Sequence, residues 1–271
     1  MAYFTTSDGV RIYYEEHGTG SPVLLAYGIG GNAGMWEPNV AALAARYRFI
    51  LWEPRGHARS DSPQDPAMVT FDRWVLDLHD LQNHLGLTHA VVGGLSLGGG
   101  IATRFTLRHP QRGDALIVVD SSSAAGLPLS VDNLVMRAQS IKVTLEGGMD
   151  AMAEFAIASN PNVAGRLKLD PSARKEILDY YRMLTPIGYA NSLRALLQMD
   201  YINDRLSQIA CPTLLICGDE DPSLQPMRTM EQKITGARFV LLSPAGHFGN
   251  RDQPEAFNDA LLQFLAERAR R

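Results

Sequence analysis

The sequence predicts an α/β fold, a doubly wound, mostly parallel sheet with a helical cap inserted in its second half. Three observations lead there. From residue 11 to residue 120, short apolar runs alternate with segments of helical period, the rhythm of strand-helix-strand units in a parallel sheet. That rhythm stops between Ser121 and Ser207, where only helical patterns occur, and it returns at Cys211. One apolar run, Val91-Val92-Gly93-Gly94-Leu95, leads straight into Ser96 and then Leu97-Gly98-Gly99-Gly100, which reads as a strand turning sharply into a helix.

Taken in order, residues 11–16 and 22–26 read as strands, 41–46 as a helix remnant and 49–53 as the next strand. Residues 71–85 place Trp74, Leu78, Leu81 and Leu85 on one side at helical spacing, and Gly86 ends the segment. A strand over 90–94, a helix over 97–108 and a strand over 115–120 follow. In the insertion, residues 133–145, 149–159, 171–184 and 189–197 read as helices, and strands over 211–218 and 238–242 resume the sheet. The expected organisation is a core of residues 1–120 and 208–271 with a cap of residues 121–207, without internal repeats. Half of the 10 methionines fall in the cap, namely Met136, Met149, Met152, Met183 and Met199, where they pack cap on core or line an adaptable apolar pocket.

Chemistry concentrates at Ser96. A serine on such a turn needs neighbours without a Cβ two positions before and two after it, because helix and adjacent strand close in there; Gly94 and Gly98 meet that need. The helix starting at Leu97 directs its first N–H groups at any oxyanion formed beside the serine. Downstream, Asp219-Glu220-Asp221-Pro222 follows the strand that ends at Gly218, and Ser243-Pro244-Ala245-Gly246-His247 follows residues 238–242. In a parallel sheet these loops open on the edge that carries Ser96. Serine, acid and histidine in that chain order supply a nucleophile, an orienting carboxylate and a general base.

With these motifs the chain resembles the α/β-hydrolase superfamily over nearly its whole length, the middle excepted. Tyr27-Gly28-Ile29-Gly30-Gly31 is similar to the family's His-Gly loop, and Glu53-Pro54-Arg55-Gly56-His57-Ala58-Arg59-Ser60-Asp61 to its Asp-x-Arg-Gly-His-Gly-x-Ser turn. Gly94-Leu95-Ser96-Leu97-Gly98-Gly99, the pair Met35-Trp36, and His247-Phe248-Gly249-Asn250 leading to Gln253-Pro254-Glu255-Ala256-Phe257 resemble the 3-oxoadipate enol-lactonase branch. The resemblance implies a triad of Ser96, Asp221 and His247, with Asp221 selected over Asp219 and Asp120, and an oxyanion hole from the backbone N–H groups of Ile29 and Leu97. It implies hydrolysis of a carboxylic ester or enol-lactone through an acyl-enzyme; with two cysteines, no His-Cys or His-Glu-x-x-His spacing and no dinucleotide-binding glycine motif, no metal and no cofactor are expected. Tyr27, Glu53 and Ala58 depart from the family pattern, and Tyr27 lies beside the oxyanion loop.

The remaining features narrow the reading. Net charge is −4 with Lys and Arg scattered, so no basic stripe favours nucleic acid. No run of about 18 apolar residues favours a membrane span, and the amino terminus lacks signal-peptide features, so a cytoplasmic location is expected. Cys211 and Cys217 fall on one expected strand, about 20 Å apart and too distant to bridge. The expected partner is a small-molecule ester or lactone. Ser96 speaks against dehalogenases and epoxide hydrolases, which carry Asp at that position. Carbon–carbon bond hydrolases, cofactor-free perhydrolases and triad-bearing small-molecule sensors stay as alternatives. An anionic substrate would need a cation, and the cap offers Arg137, Lys142, Arg166, Arg174, Arg182 and Arg194.

Overall fold

The runs 22–26, 90–95, 115–119 and 213–218 are apolar on both faces, so both faces must be covered. In the computed structural model, which describes residues 2–268, eight strands form one sheet in the order β1-β2-β4-β3-β5-β6-β7-β8. They are β1 (Ala2–Thr5), β2 (Arg11–His17), β3 (Pro22–Ala26), β4 (Arg48–Trp52), β5 (Ala90–Leu95), β6 (Gly113–Val119), β7 (Thr213–Gly218) and β8 (Arg238–Leu242). β1 pairs with β2 and β2 with β4 antiparallel, and all other neighbours are parallel.

The main helices are α1 (Glu37–Ala44), α2 (Phe71–His84), α3 (Leu97–Arg108), α4 (Ser122–Ala125), α5 (Val131–Ser159), α6 (Pro161–Leu169), α7 (Arg174–Arg182), α8 (Pro186–Leu197), α9 (Leu224–Lys233), α10 (Gly249–Asp252) and α11 (Pro254–Arg268). Alternate strand residues go to opposite sides. Leu24, Val92 and Leu116 pack with Trp74 and Leu78 of α2, Phe105 of α3 and Met230 of α9. Val23, Val91 and Ile117 pack with Trp36, Leu43 of α1, and Phe257 and Leu261 of α11.

Between β6 and β7 the described residues form helices and no strand. Met149, Met152, Ala156, Val163, Ile177 and Tyr181 give this segment a small core of its own. α5 is capped by Ser130, whose hydroxyl accepts from the Asn133 amide, and it bends at Gly148, where φ is 75°.

The elements differ from expectation in several places. α1 starts at Glu37 rather than at residue 41 because Pro38 occupies its first turn, where no N–H is required. α6 was not anticipated; Asn160 caps it and Pro161 opens it. β1, four residues long, was also not anticipated. Cys211 precedes β7 rather than lying in it, and both cysteines are free.

Register positions the site. Ala26 pairs with Gly94, Leu95 with Val119, Val119 with Ile216 and Gly218 with Leu242. The carboxyl ends of β3, β5, β6, β7 and β8 therefore lie level, and the loops after them share one edge.

Candidate active site

Ser96 stands between β5 and α3 with φ 52° and ψ −113°, a conformation that costs about 1–3 kcal/mol in a non-glycine residue. The surroundings hold it there. Its N–H donates to Val119 O at 2.9 Å, and its carbonyl accepts from Gly100 N at 3.1 Å and from the hydroxyls of Ser121 and Ser123. A Cβ on Gly94 would lie 2.4 Å from Ala26 O and 2.7 Å from Gly98 C; one on Gly98 would lie 2.3 Å from Ala26 O. The glycines thus let α3 and β3 approach within backbone contact beneath the serine.

Two amides face the same place. Leu97 opens α3, so its N–H has no partner within the helix, and among the described residues neither Leu97 N–H nor Ile29 N–H donates to any acceptor. The glycine loop that carries Ile29 is braced from two sides. Tyr27 donates its hydroxyl to Asn250 Oδ1 at 3.0 Å, and Asn250 in turn donates to Met35 O and Asn39 Oδ1. Glu53, 1% exposed, accepts from Ala33 N at 3.1 Å and Arg59 N at 2.8 Å. The two departures at Tyr27 and Glu53 are therefore supports of the loop.

Of the three candidate acids, Asp221 meets the histidine. His247 Nδ1 lies 3.0 Å from Asp221 Oδ2, and Ser223 N donates to Asp221 Oδ1 at 2.8 Å. Burial opposes ionisation of Asp221, but the charge and hydrogen bond of His247 and the Ser223 amide outweigh it and keep the carboxyl below its ordinary range. Asp219 turns to the other side, accepting from Ser243 Oγ and Ala245 N and so fastening the loop before His247. Asp120, fully buried with φ 45°, accepts from Gly218 N at 2.8 Å and Gly249 N at 3.0 Å. It ties the Asp221 loop to the His247 loop. Burial and the neighbouring Asp221 charge push Asp120 well above the carboxylate range.

Ser96, His247, Ile29 and Leu97 all line one cavity of about 380 Å³ that runs up between the sheet edge and helices α5 to α8. Met136 and Met199 line it too, whereas Met149 and Met152 belong to the helical core and Met183 is exposed. Ser96 Oγ makes no hydrogen bond to His247 among the described residues, though both border this space. A nucleophile, a carboxylate-backed imidazole and free amide donors around one cavity can together open an acyl group.

Among the described residues, Asp120, Cys217 and Asp221 are the one set of three metal-ligand side chains within 4.8 Å of one another. Their lone pairs are committed elsewhere: Asp221 to His247 and Ser223, Asp120 to two amides, while burial raises the Cys217 thiol and keeps it protonated. This set does not suit a cation.

The comparisons agree with the geometry. The alpha/beta hydrolase fold family model matches residues 21–170, and the chain belongs to that family. The chain is 29% identical to 3-oxoadipate enol-lactonase 1 of Acinetobacter baylyi, covering 90% of this chain and 88% of that one. Among solved structures, the enol-lactonase from Burkholderia xenovorans superposes with a TM-score of 0.86 at 26% identity, covering 98% of this chain and all of that one. A thermophilic esterase from Thermogutta terrifontis superposes with a TM-score of 0.87 at 28% identity, with 98% of both chains covered.

Sequence reasoning did not find the roles of Asn250, Asn39 and Glu53. Their signal is buried polarity, which becomes visible only once the fold is known. No helix among the described residues is long and apolar enough to cross a membrane.

Proposed function

We propose that the protein is a serine hydrolase that cleaves a carboxylic ester or lactone through an acyl-enzyme on Ser96. The observation that carries this reading is the 3.0 Å Asp221–His247 pair bordering the cavity that Ser96 also lines. Ser96 Oγ attacks the acyl carbon while His247 Nε2 takes its proton. Asp221, bonded at Nδ1, fixes the tautomer and stabilises the imidazolium. The negative charge that develops on the carbonyl oxygen meets the N–H groups of Ile29 and Leu97, each lowering the barrier by about 3 kcal/mol. His247 then returns the proton to the leaving alkoxide or enolate, and water repeats the sequence to release the acid. None of these steps calls for a metal or a cofactor.

In this reading residues 121–207 act as a cap that excludes water and shapes the acyl pocket. Relatives named for enol-lactone and ester cleavage support the choice of substrate class. Repeated turnover, at roughly 1–1000 per second, separates the enzyme from a triad-bearing sensor. The test is a mutant cycle on p-nitrophenyl acetate. Ser96→Ala and His247→Ala should each lower kcat by about 10⁵- to 10⁶-fold, with little further loss in the double variant, because the triad acts as a unit. Multiplying losses would contradict the assignment.

A further inference from the structure

We infer that Arg137 is the recognition site for a carboxylate on the substrate, so that the molecule cleaved at Ser96 is an ester or lactone with a second, ionised carboxyl group. This rests on the hydrolase reading above and deepens it.

The helical segment carries nine Lys and Arg residues; Lys168, Lys175 and Arg205 do not border the cavity, and the structure separates the other six. Arg166 is bound by Asp252 and Asp170, Arg174 by Glu154, Arg182 by Asp150, and Arg194 donates to Asn191 Oδ1. Lys142 is exposed and does not border the cavity. Arg137, on α5, does border it. Among the described residues no carboxylate pairs with Arg137, and its Nε is sealed from solvent without any acceptor.

The cavity itself is unbalanced in charge. Among the described residues no Asp or Glu lines it, and Arg137 is the one Arg or Lys that does. The imidazole that also borders it, His247, is held by Asp221. A guanidinium keeps its charge under nearly all conditions, and buried cations are ordinarily paired. Here burial works against the charge, with only the Tyr189 hydroxyl opposing it. A part-buried guanidinium with no carboxylate partner is unfavourable in the free protein and favourable once an anion arrives, which makes it a recognition element rather than a structural one.

The chemistry of the walls selects the anion. One guanidinium presents a planar fork that a carboxylate fills with two parallel hydrogen bonds. Asn133, one turn away on α5, and Tyr189 offer neutral donors to the same cavity, which Leu193, Leu196 and Met199 also line. A single positive charge in such surroundings matches a monoanion. A phosphate dianion would bring a second charge with no partner.

Two pairs of substrates test this, each pair differing in the carboxylate. Mono-p-nitrophenyl glutarate against p-nitrophenyl pentanoate places it on the acyl side, and p-acetoxybenzoate against its methyl ester places it on the alcohol side. The expected result is that in at least one pair the anion has the higher kcat/KM by about 10- to 100-fold, the magnitude of a charge-assisted hydrogen-bond pair. Arg137→Met should erase that preference through KM and leave the neutral ester within about 3-fold, while Arg137→Lys keeps part of it. Arg137→Met should also melt no lower than wild type, because it removes a buried unpaired charge. Glutarate alone should raise the melting temperature of wild type and leave that of Arg137→Met unchanged. No anionic preference in either pair, or equal losses on anionic and neutral esters in Arg137→Met, would overturn the inference. Absence of all hydrolysis, or hydrolysis that survives Ser96→Ala, would instead contradict the reaction assigned to Ser96, and the glutarate melting experiment would still decide the role of Arg137.

Discussion

Two positions separate Asp219 from Asp221, and their carboxylates have different duties. Asp221 faces His247 Nδ1, whereas Asp219 holds Ser243 and Ala245 in the loop that presents the histidine. Asp221→Asn should therefore lower kcat by about 10⁴-fold by disturbing the imidazole tautomer, and Asp219→Asn should cost less than about 10-fold. Steady-state kinetics of the two variants decides it, and the reverse order of damage would move the acid to Asp219. A second residue-scale expectation concerns His57, which is 1% exposed and leaves Nε2 without a partner. Burial pushes its imidazole down to about 4 from 6.5. The unfolded chain therefore takes up a proton near pH 6.5 while the folded protein refuses it until about pH 4. The stabilisation is whole above pH 6.5 and is lost as pH falls to 4, a change of about 3 kcal/mol. Urea unfolding at pH 7.5 and pH 4 should show wild type losing about that much more than His57→Phe; parallel losses would show that His57 is not the group responsible. The catalytic candidates were legible because each follows an apolar strand. Arg137 was not, because six cap cations look alike until the helix faces are known.

At the scale of elements, the turn from β5 to α3 is decided by backbone contact. The positions of Gly94 and Gly98 were readable from the Gly-x-Ser-x-Gly spacing, and the contact that requires them, with Ala26 of β3, was not. Gly98→Ala should destabilise by about 3 kcal/mol or more, because a Cβ 2.3 Å from the Ala26 carbonyl oxygen displaces backbone rather than a flexible side chain. Chemical denaturation checks it, and a loss below about 1 kcal/mol would mean that α3 can shift freely. The inner strands were legible as apolar runs because both of their faces are buried, and the bounds 22–26 coincide with β3; at the sheet edge the run 238–242 coincides with β8. β1 escaped notice because it is four residues at an edge, with one buried side chain. α6 escaped because Pro161 and Gly165 weaken its local helical signal, and its contribution is tertiary: Val163 enters the helical core and Arg166 grips Asp252 just beyond His247.

At the scale of the whole molecule, parallel register brings residues 29, 96, 120, 221 and 247 to one edge, and the helical segment closes a cavity over them. In the proposed mechanism the sheet side of that cavity supplies the reacting groups and the helical side supplies Arg137, which puts reaction and selectivity on separate walls. Ser96 is the point where they meet. The most direct measurement is intact-mass and peptide analysis of the enzyme quenched within the first turnover of a p-nitrophenyl ester, together with the pre-steady-state release of p-nitrophenol. The expected result is a burst approaching one equivalent per chain, with the acyl mass on the peptide that contains Ser96 and no adduct on Ser96→Ala. Steady turnover with no acyl mass on that peptide, or with the adduct on another side chain, would contradict Ser96 as the nucleophile.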